Sequence, residues 1–287
     1  MEISMYRLIA FDMDGTLLDD NKRISQKTID VLNRMAKKGV VLVPATGRPL
    51  CGVATDLNKI EGVRYVITCN GAGIYDWTTK TCLHSECMKL DSYLPMLEEL
   101  DKLNVMADSF LEGEAYMTAS KDVLLEQMNI SEATKKYIRD SRRMVDNQIQ
   151  ALKARGSDVE KLTINFVLDE RGDKVDLEQV EEILSRYKGI NPVSGGMNNI
   201  EVTKEHVNKA SGLQWIGGKL GISPEEMMAF GDSGNDVDML NYVKLGVAMA
   251  NGEDMAKEAA DEIAASNEED GVATTIEKYE RLIGVDH

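Results

Sequence analysis

Positive charge is scarce in this chain. Asp and Glu number 49 against 33 Lys and Arg, a formal net charge of −16. Duplex binding depends on Lys and Arg contacts to phosphates, so the balance argues against a nucleic-acid partner. The acidity serves solubility, and a small anionic substrate stays open if one local site supplies a cation. Cysteine is equally sparse: Cys51, Cys69, Cys82 and Cys87 contain no C-x-x-C pair. The segment Cys82-Leu83-His84-Ser85-Glu86-Cys87 has ligand-type residues. A structural zinc site needs four ligands, however, and no second cluster offers the fourth, so ordinary buried thiols in a crossover segment are expected. No stretch reaches the roughly 20 apolar residues of a membrane span. The first apolar run, bracketed by Arg7 and Asp12, lacks the form of a signal-peptide core. These absences predict a reduced, cytoplasmic protein with no membrane partner. Internal repeats and low-complexity linkers are also missing.

What is present is a rhythm. At 287 residues, 43% of them apolar, the chain is long enough for about two domains. Leu8-Ile9-Ala10-Phe11 reads as a buried strand, and Asp12-Met13-Asp14-Gly15-Thr16 follows at once. Side chains two apart on a strand share a side. Asp12 and Asp14 therefore share one small space if the extended geometry persists, and paired carboxylates call for a cation or a shared proton. Ser25 caps a helix with Ile29, Leu32 and Met35 on one face, and Gly39 stops it. Val40–Val43 is the next strand, ending in Pro44-Ala45-Thr46-Gly47-Arg48-Pro49; a short helical segment around Cys51 to Leu57 follows. Tyr65–Thr68 is a third strand and ends in Asn70-Gly71-Ala72-Gly73. Strands alternating with helices mean βαβ units and a parallel sheet, hence an α/β fold. Ligands in such sheets bind at the carboxyl ends of the strands.

The rhythm changes near Ile74. A hairpin turns at Trp77–Lys80, and Leu94, Leu97, Leu100 and Leu103 predict a helix over Ser92 to Leu103. Strands are expected at Val105–Ala107, Ala115–Met117 and Leu162–Leu168, with helical parts between Lys121 and Gly156 and a helix through Leu177, Val180, Ile183 and Leu184. Pro192-Val193 and Ile200–Val202 flank a turn over Ser194–Asn199. This is an α+β unit inserted into the first fold. The parallel pattern then resumes. A helix carries Ala210, Leu213, Ile216 and Leu220, and the strand Met227–Phe230 ends in Gly231-Asp232-Ser233-Gly234-Asn235-Asp236. Strands at Leu245–Ala250 and Ile263–Ala265 and a last helix through Ile276 complete it. The expected division is 1–82 plus 193–287 for one domain and 83–192 for the other.

Four polar turns then collect the chemistry. They carry Asp12 and Asp14; Thr46, Gly47 and Arg48; Lys209; and Asp232, Ser233, Asn235 and Asp236. Carboxylates with water suit a hard cation such as Mg2+, and a hydroxyl, amides and a lysine suit a phosphate. Lys204 competes with Lys209, which is favoured by its place before the apolar helix face. Arg48 either binds substrate or pairs with a core carboxylate. His84 and His206 read as ordinary surface or hinge residues. Tyr116, Met117 and Ser120 either face a site or belong to the core or surface of the insert.

Together these motifs resemble the haloacid dehalogenase superfamily, and more narrowly its Cof-type sugar-phosphatase branch with a type IIB cap. The resemblance spans essentially the whole chain. It implies a Rossmann-like parallel-sheet core with an inserted α+β cap that sets substrate specificity. It further implies Asp12 as nucleophile, Asp14 as general acid/base, and Thr46 and Lys209 as the remaining catalytic positions. Mg2+ is implied on Asp12, the Asp14 backbone carbonyl and Asp232, with Asp236 a ligand or the support of one. Asn235 is implied near the substrate phosphate, and Asn70 and Gly71, like Gly47 and Arg48, beside the substrate. The expected activity is removal of phosphate from small phosphorylated metabolites, sugar phosphates first, through an aspartyl-phosphate. A phosphomutase of the same fold and a non-catalytic phospho-ligand sensor are the alternatives. Oligomeric state and the identity of the leaving alcohol are not encoded in any motif.

Overall fold

The computed structural model describes residues 5–195 and 198–284. Gly196 and Met197, inside the expected turn over Ser194–Asn199, lie outside the described residues. The chain divides into two compact units. One comprises Met1–Gly47, Val53–His84 and Asn208–His287; the other comprises Arg48–Gly52 and Ser85–Val207. No helix among the described residues is long and apolar enough to cross a membrane.

The first unit is built on a five-stranded parallel sheet with Leu8–Phe11 near its middle. Leu8 pairs with Val41 on one side and with Met227 on the other. Beyond Met227–Gly231 come Leu245–Met249 and then Glu262–Ala264. Every residue of Leu8–Phe11, Met227–Gly231 and Leu245–Met249 is buried. A parallel sheet covered on both faces requires such continuous apolar runs, which is why these strands read so clearly in the sequence. On the far side of Val41–Pro44, one parallel bridge, Ala45 to Ile67, brings in Tyr65–Thr68. That strand pairs antiparallel with Gly73–Asp76.

Caps set the helix starts. Ser25 Oγ accepts from the Thr28 amide at 3.1 Å to open Gln26–Lys37, whose Ile29, Val31, Leu32 and Met35 are buried. Asn208 Oδ1 accepts from the Ser211 amide at 2.8 Å to open Lys209–Leu220. A side-chain acceptor at this position satisfies an amide with no partner inside the helix. It also makes Lys209 the first helical residue.

The inserted unit carries a six-stranded sheet in the order Ile190–Ser194, Asn199–Lys204, Lys161–Phe166, Val105–Leu111, Glu114–Thr118, Arg143–Val145. Its pairs are antiparallel except the last. Val105, Leu111, Leu162, Ile164, Phe166 and Val202 join a core with the helices Leu90–Leu100, Gln148–Arg155 and Leu177–Ser185. Alternation puts Met106, Asp108, Phe110, Lys161, Thr163 and Glu201 on the opposite face. There Met106 and Met117 pack with Leu124, Leu125, Met128 and Ile138.

The expected return to the first unit at residue 193 instead falls at Asn208. Ile190–Ser194 and Asn199–Lys204 form a hairpin, and its second strand pairs with Lys161–Phe166. Strand identity was readable there, but pairing partner was not. The exit likewise lies at Ser85 rather than 83, and the five residues Arg48–Gly52 also belong with the insert.

Candidate active site

The sheet directs three turns to one end. Asp12 directly follows the strand Leu8–Phe11, and its amide still donates to Phe230 O at 2.9 Å. Asp232 follows the neighbouring strand, and Thr46 the other neighbour, its amide donating to Ile67 O at 2.9 Å. Lys209 enters from its helix start. Its Nζ donates to Asp12 Oδ1 at 2.7 Å and to Asp236 Oδ1 at 2.6 Å, with both partners buried and Lys209 itself wholly so. Lys204, the rival lysine, pairs with Glu86 in the inserted unit.

Asp12, Asp232 and Asp236 each bring one carboxylate oxygen within 4.8 Å of the others. Three carboxylates against one lysine leave excess negative charge in a buried place, which is costly unless offset. The titration behaviour shows this strain. Burial pushes the Asp12 carboxyl up to about 7, with Lys209 opposing and Asp236 and Asp14 adding to the rise. Burial, then Asp12 and Asp236, hold Asp232 well above the usual carboxylate range. Burial disfavours the Lys209 charge, but the pull of Asp12 and Asp236 outweighs it and raises the lysine. An all-oxygen donor set with surplus negative charge fits a hard divalent cation.

Within the triad the roles differ. Asp236 Oδ2 accepts from the amides of Asp232 and Ser233 at 2.9 and 3.1 Å, while Oδ1 takes Lys209. It therefore fastens the turn that carries Asp232. Asp232 Oδ1 accepts from Thr16 Oγ1 at 2.7 Å, and the Asp232 carbonyl accepts from the Glu253 amide at 2.7 Å. Gly15 makes the close approach possible. Its φ is +79°, and a Cβ there would lie 2.5 Å from Asp232 Oδ2.

The other expected residues fall in two groups. Asn70 is buried at φ 55°; its amide donates to the Thr46 carbonyl at 3.1 Å, and its Oδ1 accepts from Asn235 Nδ2 at 3.3 Å. Gly71, at φ +102°, lies under the Asn208 carbonyl, where a Cβ would sit 2.0 Å from the oxygen. Thr46, Asn70, Gly71 and Asn235 are thus tied into the same set of turns, and half-buried Gly47 follows Thr46. Two residues stand apart. The Asp14 carboxylate is partly exposed and pairs with Lys22 Nζ at 2.8 Å, outside the triad. Arg48 belongs to the inserted unit, where its guanidinium lies 4.2 Å from the Tyr137 ring centre and donates to Gly52 O at 2.9 Å. Thr16 and Lys22 received no role from sequence reasoning. Thr16 sits inside the first motif, which was the available signal; nothing local marks Lys22.

Comparison with known proteins agrees with this geometry. The sequence model of the haloacid dehalogenase-like hydrolases matches residues 9–276. The chain belongs to the haloacid dehalogenase-like hydrolase family. Among these hydrolases it is 30% identical over 277 residues to the 5-amino-6-(5-phospho-D-ribitylamino)uracil phosphatase YcsE of Bacillus subtilis, covering 95% of each chain. It is 29% identical over 285 residues to the phosphatase YitU of the same organism, which carries the same activity name, covering 97% of this chain and 99% of that one. A solved haloacid dehalogenase-like hydrolase from B. subtilis superposes with a TM-score of 0.82 at 25% identity, covering 94% and 99%. The subclass IIB sugar phosphatase BT4131 does so with a TM-score of 0.76 at 25% identity, covering 96% and 99%. The protein is therefore an enzyme, a phosphatase of this hydrolase family, and the resemblance read from its motifs holds.

Proposed function

We propose that the chain is a Mg2+-dependent, cytoplasmic phosphohydrolase that dephosphorylates small metabolites through an aspartyl-phosphate at Asp12. The observation carrying this reading is the buried lysine held between Asp12 and Asp236 beside Asp232. Lys209 fixes the Asp12 carboxylate and offsets its repulsion of an anionic phosphoryl group. Asp12 attacks phosphorus; the P–O bond to the leaving alcohol breaks as Asp14 delivers a proton to that oxygen. Asp14 then takes a proton from water, whose oxygen attacks the aspartyl-phosphate, releasing phosphate and restoring Asp12. Asp14, partly exposed, is the carboxyl with access to solvent for this exchange. Thr46 and Asn235 bind phosphate oxygens, with Gly47, Asn70 and Gly71 shaping the turns beside them. Asp12 and Asp232 would hold the cation, aided by the Asp14 carbonyl, while Asp236 fastens the turn. When bound, Mg2+ supplies positive charge against the charge that builds on the transferring phosphoryl oxygens.

Two relatives are named for a ribityl phosphate and one structural neighbour for sugar phosphates, which makes pentitol and sugar monophosphates the first substrates to try. Purified protein with Mg2+ should release inorganic phosphate from p-nitrophenyl phosphate and from such monophosphates, and EDTA should stop it. Asp12→Asn should lower turnover by roughly a thousandfold or more with the fold intact. Full turnover in that variant sinks the nucleophile assignment. Interconversion of sugar phosphates without phosphate release would make the enzyme a mutase instead.

A further inference from the structure

Lys22 Nζ donates to Asp14 Oδ1 at 2.8 Å. The two side chains are 30% and 39% exposed, and a partly exposed pair is ordinarily worth little. What sets this pair apart is how firmly the chain fixes the lysine. Lys22 stands at φ +62°, a left-handed conformation that a residue with a Cβ adopts only when its surroundings impose it.

The surroundings are a closed turn. The Lys22 amide donates to Asp19 O at 2.9 Å, and the Asp19 amide donates to Arg23 O at 2.9 Å. Asp19 Oδ1 accepts from the Arg23 amide at 2.8 Å. The turn is in turn fastened from the far end of the chain. Asn267 Nδ2 donates to Leu18 O at 2.9 Å, and Glu268 Oε1 accepts from the Asp20 amide at 2.6 Å. Asn251 Nδ2 donates to Gly15 O at 2.8 Å and, through its Oδ1, accepts from the Asn267 amide at 3.0 Å. Asp14 itself bridges to Leu18. Carboxylate and lysine therefore sit on one short return of chain, pinned at both ends.

The placement has a chemical use. Asp12, Asp232 and Asp236 already set three carboxylates against Lys209. A fourth carboxylate turned into that cluster would add negative charge where phosphate must enter. A carboxyl that moves protons also has to be aimed, because proton transfer needs a donor and an acceptor within hydrogen-bond reach.

We propose that Lys22 is a positioning residue. It holds the Asp14 carboxylate out of the acidic triad and aims it for proton delivery to the leaving oxygen. This rests on the phosphatase reading above, in which Asp14 is the acid and base; it adds the residue that orients Asp14 and the Asn251–Asn267–Glu268 clamp that orients Lys22.

The test compares Lys22→Met, which removes the charge but keeps a long unbranched side chain, with Lys22→Arg, which keeps the charge. The measured quantity is kcat/KM, which covers the steps through departure of the alcohol. A sugar alkoxide needs a proton to leave, whereas p-nitrophenolate is a stable anion that needs little help. On pentitol or hexose monophosphates the methionine variant should lose about three- to fivefold, the upper worth of such a pair. On p-nitrophenyl phosphate it should change by less than about twofold, and the arginine variant should match wild type on both. Equal losses on the two esters would make Lys22 a phosphate-binding or turn residue and overturn the proposal. No loss on either would leave a solvated surface pair, which also overturns it. Crystal structures of wild type and both variants separate this idea from the phosphatase reading. An Asp14 carboxylate that leaves its place in Lys22→Met but not in Lys22→Arg supports the holding role even if no ester is hydrolysed. A carboxylate unmoved in Lys22→Met counts against it even if the enzyme is an active phosphatase.

Discussion

The two sheets of this protein handle polar chemistry in opposite ways. The parallel sheet is apolar on both faces, and its chemistry lies beyond the strand ends, in Asp12, Thr46 and Asp232. The antiparallel sheet has one apolar face and carries charge in the middle of its strands, at Asp108, Lys161 and Glu201. The difference follows from what covers each sheet. Strands packed on both faces have no room for a polar side chain before they end. In the inserted sheet alternate positions face away from the helices, and the charges there are buried as matched pairs beside the cluster around Met106 and Met117.

This contrast can be broken at its strongest point first. Lys209 is the cation that bridges Asp12 and Asp236, two carboxylates of the triad completed by Asp232. Lys209→Met leaves Asp12 and Asp236 buried without it. Loss of one partner from a buried ion pair costs about 3–5 kcal/mol, so urea denaturation without metal should show a loss of that size. A loss under about 1 kcal/mol would mean that the cluster is not electrostatically held.

The sheet face is sharpened by Asp108. Burial raises its carboxyl from an ordinary 3.8 to about 6, although Arg142 and Lys161 oppose the rise. Between those pH values the folded protein holds a proton that the unfolded chain has released. The stabilising contribution is therefore present below about pH 4 and lost as pH rises through about 6, roughly 3 kcal/mol in all. The stability difference between wild type and Asp108→Asn should change by up to that amount across this window. A pH-independent difference would place Asp108 in a more polar setting than its burial suggests.

The smallest effect concerns how the strand-end lysine is placed. Asn208→Ala removes the acceptor for the Ser211 amide, at a cost of about 1 kcal/mol. Thermal melts should register it. Activity should fall by more than the melt accounts for, because Lys209 is the next residue.

The same contrast explains what the sequence could disclose. Chemistry at a strand end is contiguous. Asp12 to Thr16 and Gly231 to Asp236 are short words following apolar runs, and the structure brings Asp12, Asp232, Asp236 and Lys209 together as that pattern suggests. Chemistry on a sheet face is spread over several strands at every second residue. Asp108 and Thr163 are neighbours only through a pairing register that no local pattern encodes. The misplaced boundary at 193 has the same origin, since Ile190–Ser194 was legible as a strand while its partner, Asn199–Lys204, set its allegiance. Arg48 is similar: its stacking on Tyr137 depends on a residue 89 positions later, a contact set by tertiary folding and not by the turn that contains it.

The allegiance of Arg48–Gly52 bears on any attempt to trade parts between relatives. Because those five residues go with Ser85–Val207, the polypeptide changes unit after Gly47, Gly52, His84 and Val207, and a transplant needs four seams instead of two. A chimaera that swaps only 85–207 would deprive the host's pentapeptide of the Gly113 carbonyl that receives the Cys51 amide and of the ring under Arg48. Carrying 48–52 along with the graft keeps both.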